Sequence, residues 1–388
     1  MKHLLISFLC ICFLHVSFGQ AKKIDDIIPV RGLAIAAPSS QGVDLFCKFI
    51  EEDLAPAHFN RLILRVDWNY AYECHPELRD PNPLTKDDVK KIVAVCKKYG
   101  IQLAPQINLL GHQSWAGTTY ALLREYPQFD EAPHIKTENY NDYTGQRGNP
   151  LPYSDALYCK SYCPLHPEVH GIVFALVDEL MGVFEAEWFH AGMDEVFHIG
   201  DDRCPRCSGR DKAELFAGEV NKIRDHLALN NRKLMIWGDR LIDGRLTGLG
   251  AWEASMNDTH RAIDLINKDV FICDWHYDYS GLTAVNFAFK GLNVALCPWN
   301  NATIAQQHLN DMIDFRTRPI QRAVSNRFQG VIHTVWSGAD NFLRSYYNPE
   351  THNVQPAATR EEQNAQNSRG GDARTLKFLI AEFKKLDQ

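Results

Sequence analysis

Eight short apolar runs recur along the chain with longer amphipathic segments between them, and this alternation constrains the fold more than any other feature of the 388 residues. The runs are 31–37, 61–68, 102–108, 188–192, 233–237, 270–275, 293–298 and 330–336. Helical periodicity fills the gaps, over 43–54, 86–99, 166–184, 211–230, 304–327 and 375–386. Repeated strand and helix units require a parallel sheet with helices on its faces, and eight of them close most simply as an α/β TIM (β/α)8 barrel. The rival, an open doubly wound sheet, carries a Gly-rich phosphate loop after its first strand. Here that position reads Ala36-Ala37-Pro38-Ser39-Ser40, which is no such loop.

Long active-site loops are expected on this barrel. Residues 127–164, rich in Pro, Tyr, Asn and Asp, interrupt the third connection on the face where barrel sites lie. Residues 345–371 read as a polar, solvated loop. At the start, Met1-Lys2-His3 and the apolar stretch 4–18 form an export signal, with cleavage expected after Gly19. Residues 20–388 then make one catalytic domain, and the product is periplasmic or extracellular. No run has the roughly 20 apolar residues of a membrane span. The net charge of −7 gives no basic footprint for nucleic acid.

Under a barrel topology the C-terminal ends of the strands gather in one place. Strand four ends in Asp194-Glu195, and two adjacent acids after an apolar run are costly to place unless their charge or proton is used. Around them the strand ends supply Asp67, His112, Trp237, Asp239, Trp275, Tyr277, Trp299 and Trp336. Five of the eight tryptophans, Trp68 included, fall at these ends. Flat apolar walls with polar handles suit a pyranose, whose faces are C–H rich and whose rim is hydroxyl.

His190, Gly192, Asp194 and Glu195 reproduce a His-x-Gly-x-Asp-Glu pattern, and the chain thereby resembles glycoside hydrolase family 20, the exo-acting β-N-acetylhexosaminidases. The likeness runs from Arg31-Gly32 through Gly111-His112 and Trp237 to Trp336. Residues 194–200, Trp275-His276-Tyr277 and Phe289-Lys290-Gly291 are most similar to the hexosaminidase D group. The α/β domain that precedes the barrel in many members is expected to be missing.

The resemblance implies a glycan substrate with a terminal N-acetylhexosamine, no cofactor and no catalytic metal. The 2-acetamido oxygen attacks its own anomeric carbon, Asp194 orients that amide, and Glu195 serves as general acid and then base. It further implies that Arg31 binds O3 and O4, Tyr277 the acetamido oxygen, and Trp237, Trp275 and Trp336 the ring and methyl group. Asp67, His112 and His190 join the polar shell. Many members have an acidic residue two positions after the last tryptophan, where this chain has Gly338, so Asp239, Asp340, Asn300 and Asn301 are candidates for O4 or O6. Two other readings stand beside this one: a barrel that binds sugar without turnover, and a barrel glycosidase with an enzyme nucleophile.

Nine cysteines follow the signal. Cys159 and Cys163 with Cys204 and Cys207 have spacings that suit either disulfides or a structural zinc site, with disulfides favoured in an exported protein.

Overall fold

The computed structural model describes residues 23–115, 117–136, 159–318, 321–348 and 370–387. The export signal and most of both long loops lie outside the described residues. Eight parallel strands close into a barrel. They are β1 (Val30–Ala36), β2 (Arg61–Arg65), β3 (Gln102–Leu109), β4 (Trp188–Gly192), β5 (Lys233–Trp237), β6 (Phe271–Asp274), β7 (Asn293–Leu296) and β8 (Phe328–Thr334). Each pairs with its neighbours in sequence, and β1 meets β8 through Val30 opposite Gly330.

The surrounding helices are α1 (Val43–Phe49), α2 (Lys86–Lys98), α3 (Val169–Val183), α4 (Lys212–Ala228), α5 (Thr283–Phe289), α6 (Ala302–Thr317), α7 (Ala339–Tyr347) and α8 (Gly371–Leu386). Their starts are written in the sequence. Thr85 and Asp88 form a reciprocal capping box on α2, and Asp211 and Asn301 accept the first amides of α4 and α6. The helix expected over 304–327 stops at Thr317, because Arg318 precedes a proline and takes extended backbone; a short turn, Arg322–Ser325, follows. The connection after β5 has no long helix and uses short pieces, among them Thr259–Asp264. No helix among the described residues is long and apolar enough to cross a membrane.

Strand parity decides which side chains can reach the site. On β1, Val30 and Ala34 belong to the interior cluster, and Leu33 and Ile35 face the helices. Arg31 therefore points outward, and it also lies at the N-terminal end of its strand. Its guanidinium donates to the carbonyls of His58 and Ile28, both at 2.6 Å, and to Asp25 at 2.8 Å. The sugar-binding role expected of Arg31 is corrected: this arginine ties down the closed end of the barrel. On β2 the inward set is Arg61, Ile63 and Arg65; Arg61 lies 4.6 Å over the Trp188 ring, and Arg65 reaches the open end.

Candidate active site

Two glycines set the backbone that carries the acids. Gly192 has φ +68°, and a Cβ there would stand 2.3 Å from Asn108 Oδ1; a Cβ on Gly111 would stand 2.6 Å from the Asp194 carbonyl. Both positions thus require the close approach that only glycine permits. Met193 and Glu195 follow with φ of 70° and 49°, and His112 and Asp67 on neighbouring loops also have positive φ. Left-handed backbone at non-glycine residues carries strain, and here it gathers on the strand ends that bear the acids. Asn257 steadies the β4 loop by donating to the carbonyls of Val196 and Phe197 at 2.9 and 3.0 Å.

Asp194 and Glu195 converge on one imidazole. His112 Nε2 lies 3.0 Å from Asp194 Oδ2 and 3.1 Å from Glu195 Oε2. The other nitrogen, Nδ1, is 3.3 Å from Cys159 Sγ, and the Cys159 thiol points to Glu195 Oε2 at 3.7 Å. Burial works against charge on His112, but Asp194 overrides it and holds the imidazole well above its ordinary range. Burial likewise opposes the Asp194 anion, and His112 more than compensates, so that carboxyl sits below its usual value. Asp194 Oδ1 is buried and has no hydrogen-bond partner. Burial pushes the Cys159 thiol up to about 12, which keeps it neutral. Trp115 stacks on His112 with ring centres 5.8 Å apart.

Asp239 does not face a sugar hydroxyl. It is wholly buried, accepts the Glu195 amide at 2.9 Å and Arg240 Nε at 2.6 Å, and receives Trp275 Nε1 at 3.3 Å. Burial raises its carboxyl to about 6 against the pull of Arg240. The expected O4 contact is thus replaced by an anchor that fixes both Glu195 and Trp275. Two of the other three candidates for that contact are also engaged: Asp340 accepts the Ser39 amide at 2.9 Å, and Asn301 caps α6.

His190 sits inside the barrel, with Nδ1 accepting the Gly192 amide at 3.0 Å and its ring 4.5 Å from Trp237. It sets the turn before the acids and does not line the recess. Asp67 accepts the Asn108 amide at 2.8 Å and so fixes the end of β3; burial raises its carboxyl, against Arg65.

The aromatic rim is continuous. Trp237 meets Trp336 at 5.7 Å, Trp275 meets Tyr277 at 5.2 Å, and Tyr277 meets Trp299 at 5.3 Å. Trp336 Nε1 donates to the Tyr277 hydroxyl at 2.8 Å. Trp68, counted with this rim in the sequence, packs instead in the outer core between strands and helices. A small recess beneath the rim is lined by Arg65, Gln106, Trp237, Thr334 and Trp336, with Arg65 4.9 Å over the Trp336 ring. Sequence reasoning missed Arg65, although the period of two along β2 pointed to it. It also missed Trp115 and Asn257, which stand outside any strand-end pattern.

Among the described residues, two groups have ligand atoms close enough to share a metal ion: His112, Cys159 and Glu195 within the site, and Glu131, Cys163, Cys204 and Cys207 apart from it. The expected quartet of cysteines is therefore corrected. Cys159 belongs to the acids, and Glu131 stands in the place expected for Cys159; the single Sγ of Cys163 lies 3.5 Å from that of Cys207 and 3.6 Å from that of Cys204.

The profile of the glycosyl hydrolase family 20 catalytic domain matches residues 69–341. This chain belongs to that family. Hexosaminidase D of Bos taurus is 22% identical over 303 residues, covering 73% of this chain and 77% of that protein. A lacto-N-biosidase of Bifidobacterium bifidum is 27% identical over 237 residues, 58% of this chain but only 17% of that protein. The chain thus spans a minor part of the biosidase and the greater part of the bovine protein. A β-N-acetylhexosaminidase structure from Bacteroides fragilis superposes with a TM-score of 0.55 at 17% identity, over 80% of this chain and 61% of that one, which establishes the common barrel. In this family 20 chain the two acids follow just after the end of β4.

Proposed function

We propose that this family 20 chain is an exo-acting, retaining β-N-acetylhexosaminidase that uses the substrate's own acetamido oxygen as nucleophile. The convergence of Asp194 and Glu195 on His112 beside an aromatic box carries the reading. Asp194 is held as an anion and has one oxygen, Oδ1, buried without a partner, the acceptor that an amide N–H requires. Accepting that N–H turns the acetamido oxygen toward the anomeric carbon and offsets the positive charge that develops on the amide. Tyr277 accepts a bond from Trp336, and burial holds its hydroxyl well above the ordinary range, so it stays neutral with a proton to give the acetamido oxygen. Trp237, Trp275 and Trp336 supply apolar walls, with Trp299 at their edge.

Glu195 protonates the leaving oxygen and then removes a proton from the water that opens the oxazolinium ion. Its amide is anchored by Asp239 and its carboxylate lies beside His112, so both backbone and side chain are set before substrate arrives. Arg65, at the recess over Trp336, takes the hydroxyl-binding role that Arg31 does not fill. The leading segment 1–19 serves in export, and the substrate is a glycan ending in N-acetylglucosamine or N-acetylgalactosamine.

Glu195→Gln tests the reading. Hydrolysis of an aryl β-N-acetylglucosaminide should fall by about 10³-fold, within the range of positioned acid–base groups, with an unchanged melting curve. Turnover near that of the parent ends the proposal, and sugar binding by a parent protein that shows no turnover reassigns the chain as a binding barrel.

A further inference from the structure

We propose that Glu131, Cys163, Cys204 and Cys207 form a structural site for a tetrahedral divalent cation of the zinc class. Glu131 and the three cysteines are buried, Glu131 completely. One Glu131 oxygen accepts the Asp201 amide at 3.0 Å, and the other, Oε2, is buried with no hydrogen-bond partner. Glu131 makes no ion pair among the described residues. A carboxylate withdrawn from water in this way can stay ionised only beside a cation.

The sulfurs supply the rest of the cage. Cys163 Sγ stands 3.5 and 3.6 Å from the other two, close to the edge of about 3.8 Å that bonds of 2.3 Å to a tetrahedral ion dictate, and well beyond the roughly 2.0 Å of a disulfide. A Glu131 oxygen and all three sulfurs lie within 4.8 Å of one another. Cys204-Pro205-Arg206-Cys207 is a tight turn in which the Arg206 and Cys207 amides face the Cys204 sulfur, as a metal-bound thiolate requires. Four protein ligands leave no open position, which makes the site structural.

The placement gives it a purpose. Glu131 and Cys163 lie on two adjacent segments of the connection after β3, paired by Glu131 donating its amide to Ser161 and Cys163 to Phe129. Cys204 and Cys207 lie in the connection after β4. The ion therefore clasps the loop that delivers Cys159 to the loop that follows Glu195, so that His112, Cys159 and Glu195 meet in a fixed geometry.

The test uses the full chain, purified with zinc chloride present and no chelator. Elemental analysis should find one zinc per chain, with near-complete loss in Cys207→Ser and full retention in Cys74→Ser, a change at an exposed thiol. Cobalt(II) added to the stripped parent should give thiolate charge-transfer and intense tetrahedral d–d bands, and Glu131→Gln should shift them. The charge-transfer intensity of the parent decides the matter even where Cys207→Ser fails to fold, since the proposed site binds cobalt through three thiolates and the His112, Cys159 and Glu195 group could offer only one. A folded parent that takes up neither metal overturns the proposal, as does peptide mapping of active protein that finds two of these three cysteines joined and no metal.

Discussion

The two ends of the barrel treat buried charge in opposite ways. At the N-terminal end, Arg31 spends its donors on the carbonyls of Ile28 and His58, and Arg61 lies over Trp188 with burial drawing its guanidinium down to about 10. At the C-terminal end, Asp194, Glu195 and His112 share contacts, and Asp194 keeps one buried oxygen without a partner. Charge at the first end is consumed by the fold, and at the second end part of it is left for a ligand. Buried charged side chains thus serve stability at one end of the barrel and chemistry at the other.

Paired substitutions sharpen the contrast. Asp194→Asn should lower kcat for an aryl N-acetylhexosaminide by about 10²–10³-fold, the scale of one lost electrostatic contact in a transition state, with little change in melting. Arg31→Met should do the reverse, costing about 2–3 kcal/mol through carbonyls left without donors, while the folded fraction keeps its activity. Urea unfolding and initial rates on both variants would separate the ends, and a catalytic defect in folded Arg31→Met would erase the distinction.

A pH experiment probes the open end further. His276 is buried against Asp274 at 3.2 Å and Glu253 at 2.7 Å. Burial works against its charge, but Asp274 and Glu253 raise it to about 9. A raised imidazole contributes stability that is complete below the unfolded value near 6.5 and is lost as pH climbs through about 9. The parent should therefore lose on the order of 3 kcal/mol across that window relative to His276→Gln. Parallel stability curves for the two proteins would refute the assignment.

The smallest effect belongs to Arg61. Its Nε has no partner, and Met in its place would exchange a desolvated charge for packing against Trp188, leaving stability unchanged or raised by about 1 kcal/mol. A loss of several kcal/mol would show that the charge is needed.

How much of this was legible follows from what each signal encodes. The apolar runs marked all eight strands, and β4 and β5 fall within the bounds read from sequence, because a barrel strand must be apolar and turn signals flank it. Parity was equally available. Reading Val30 and Ala34 as inward would have turned Arg31 away from the sugar and, on β2, brought Arg65 toward it. Cys159 was not legible: a CxxxC spacing says nothing about whether its two thiols diverge, and here Cys163 turns to Cys207 while Cys159 turns to His112. Glu131 escaped notice for the same reason, since a lone acid in a long loop shows no pattern until the loop is folded. Asp239 was found but miscast, because sequence placed it at the rim without revealing that the Glu195 amide had claimed it.

The central claim is that the substrate's amide, steered by Asp194, delivers the attacking atom. It is tested most directly by the hydrolysis rates of aryl 2-acylamido glycosides whose acetyl group carries zero, one, two or three fluorines. Each fluorine drains the carbonyl oxygen of nucleophilicity, so the account predicts a steep, monotonic fall in kcat across the series. Rates that stay level would mean that a group of the enzyme makes the attack, and would contradict it.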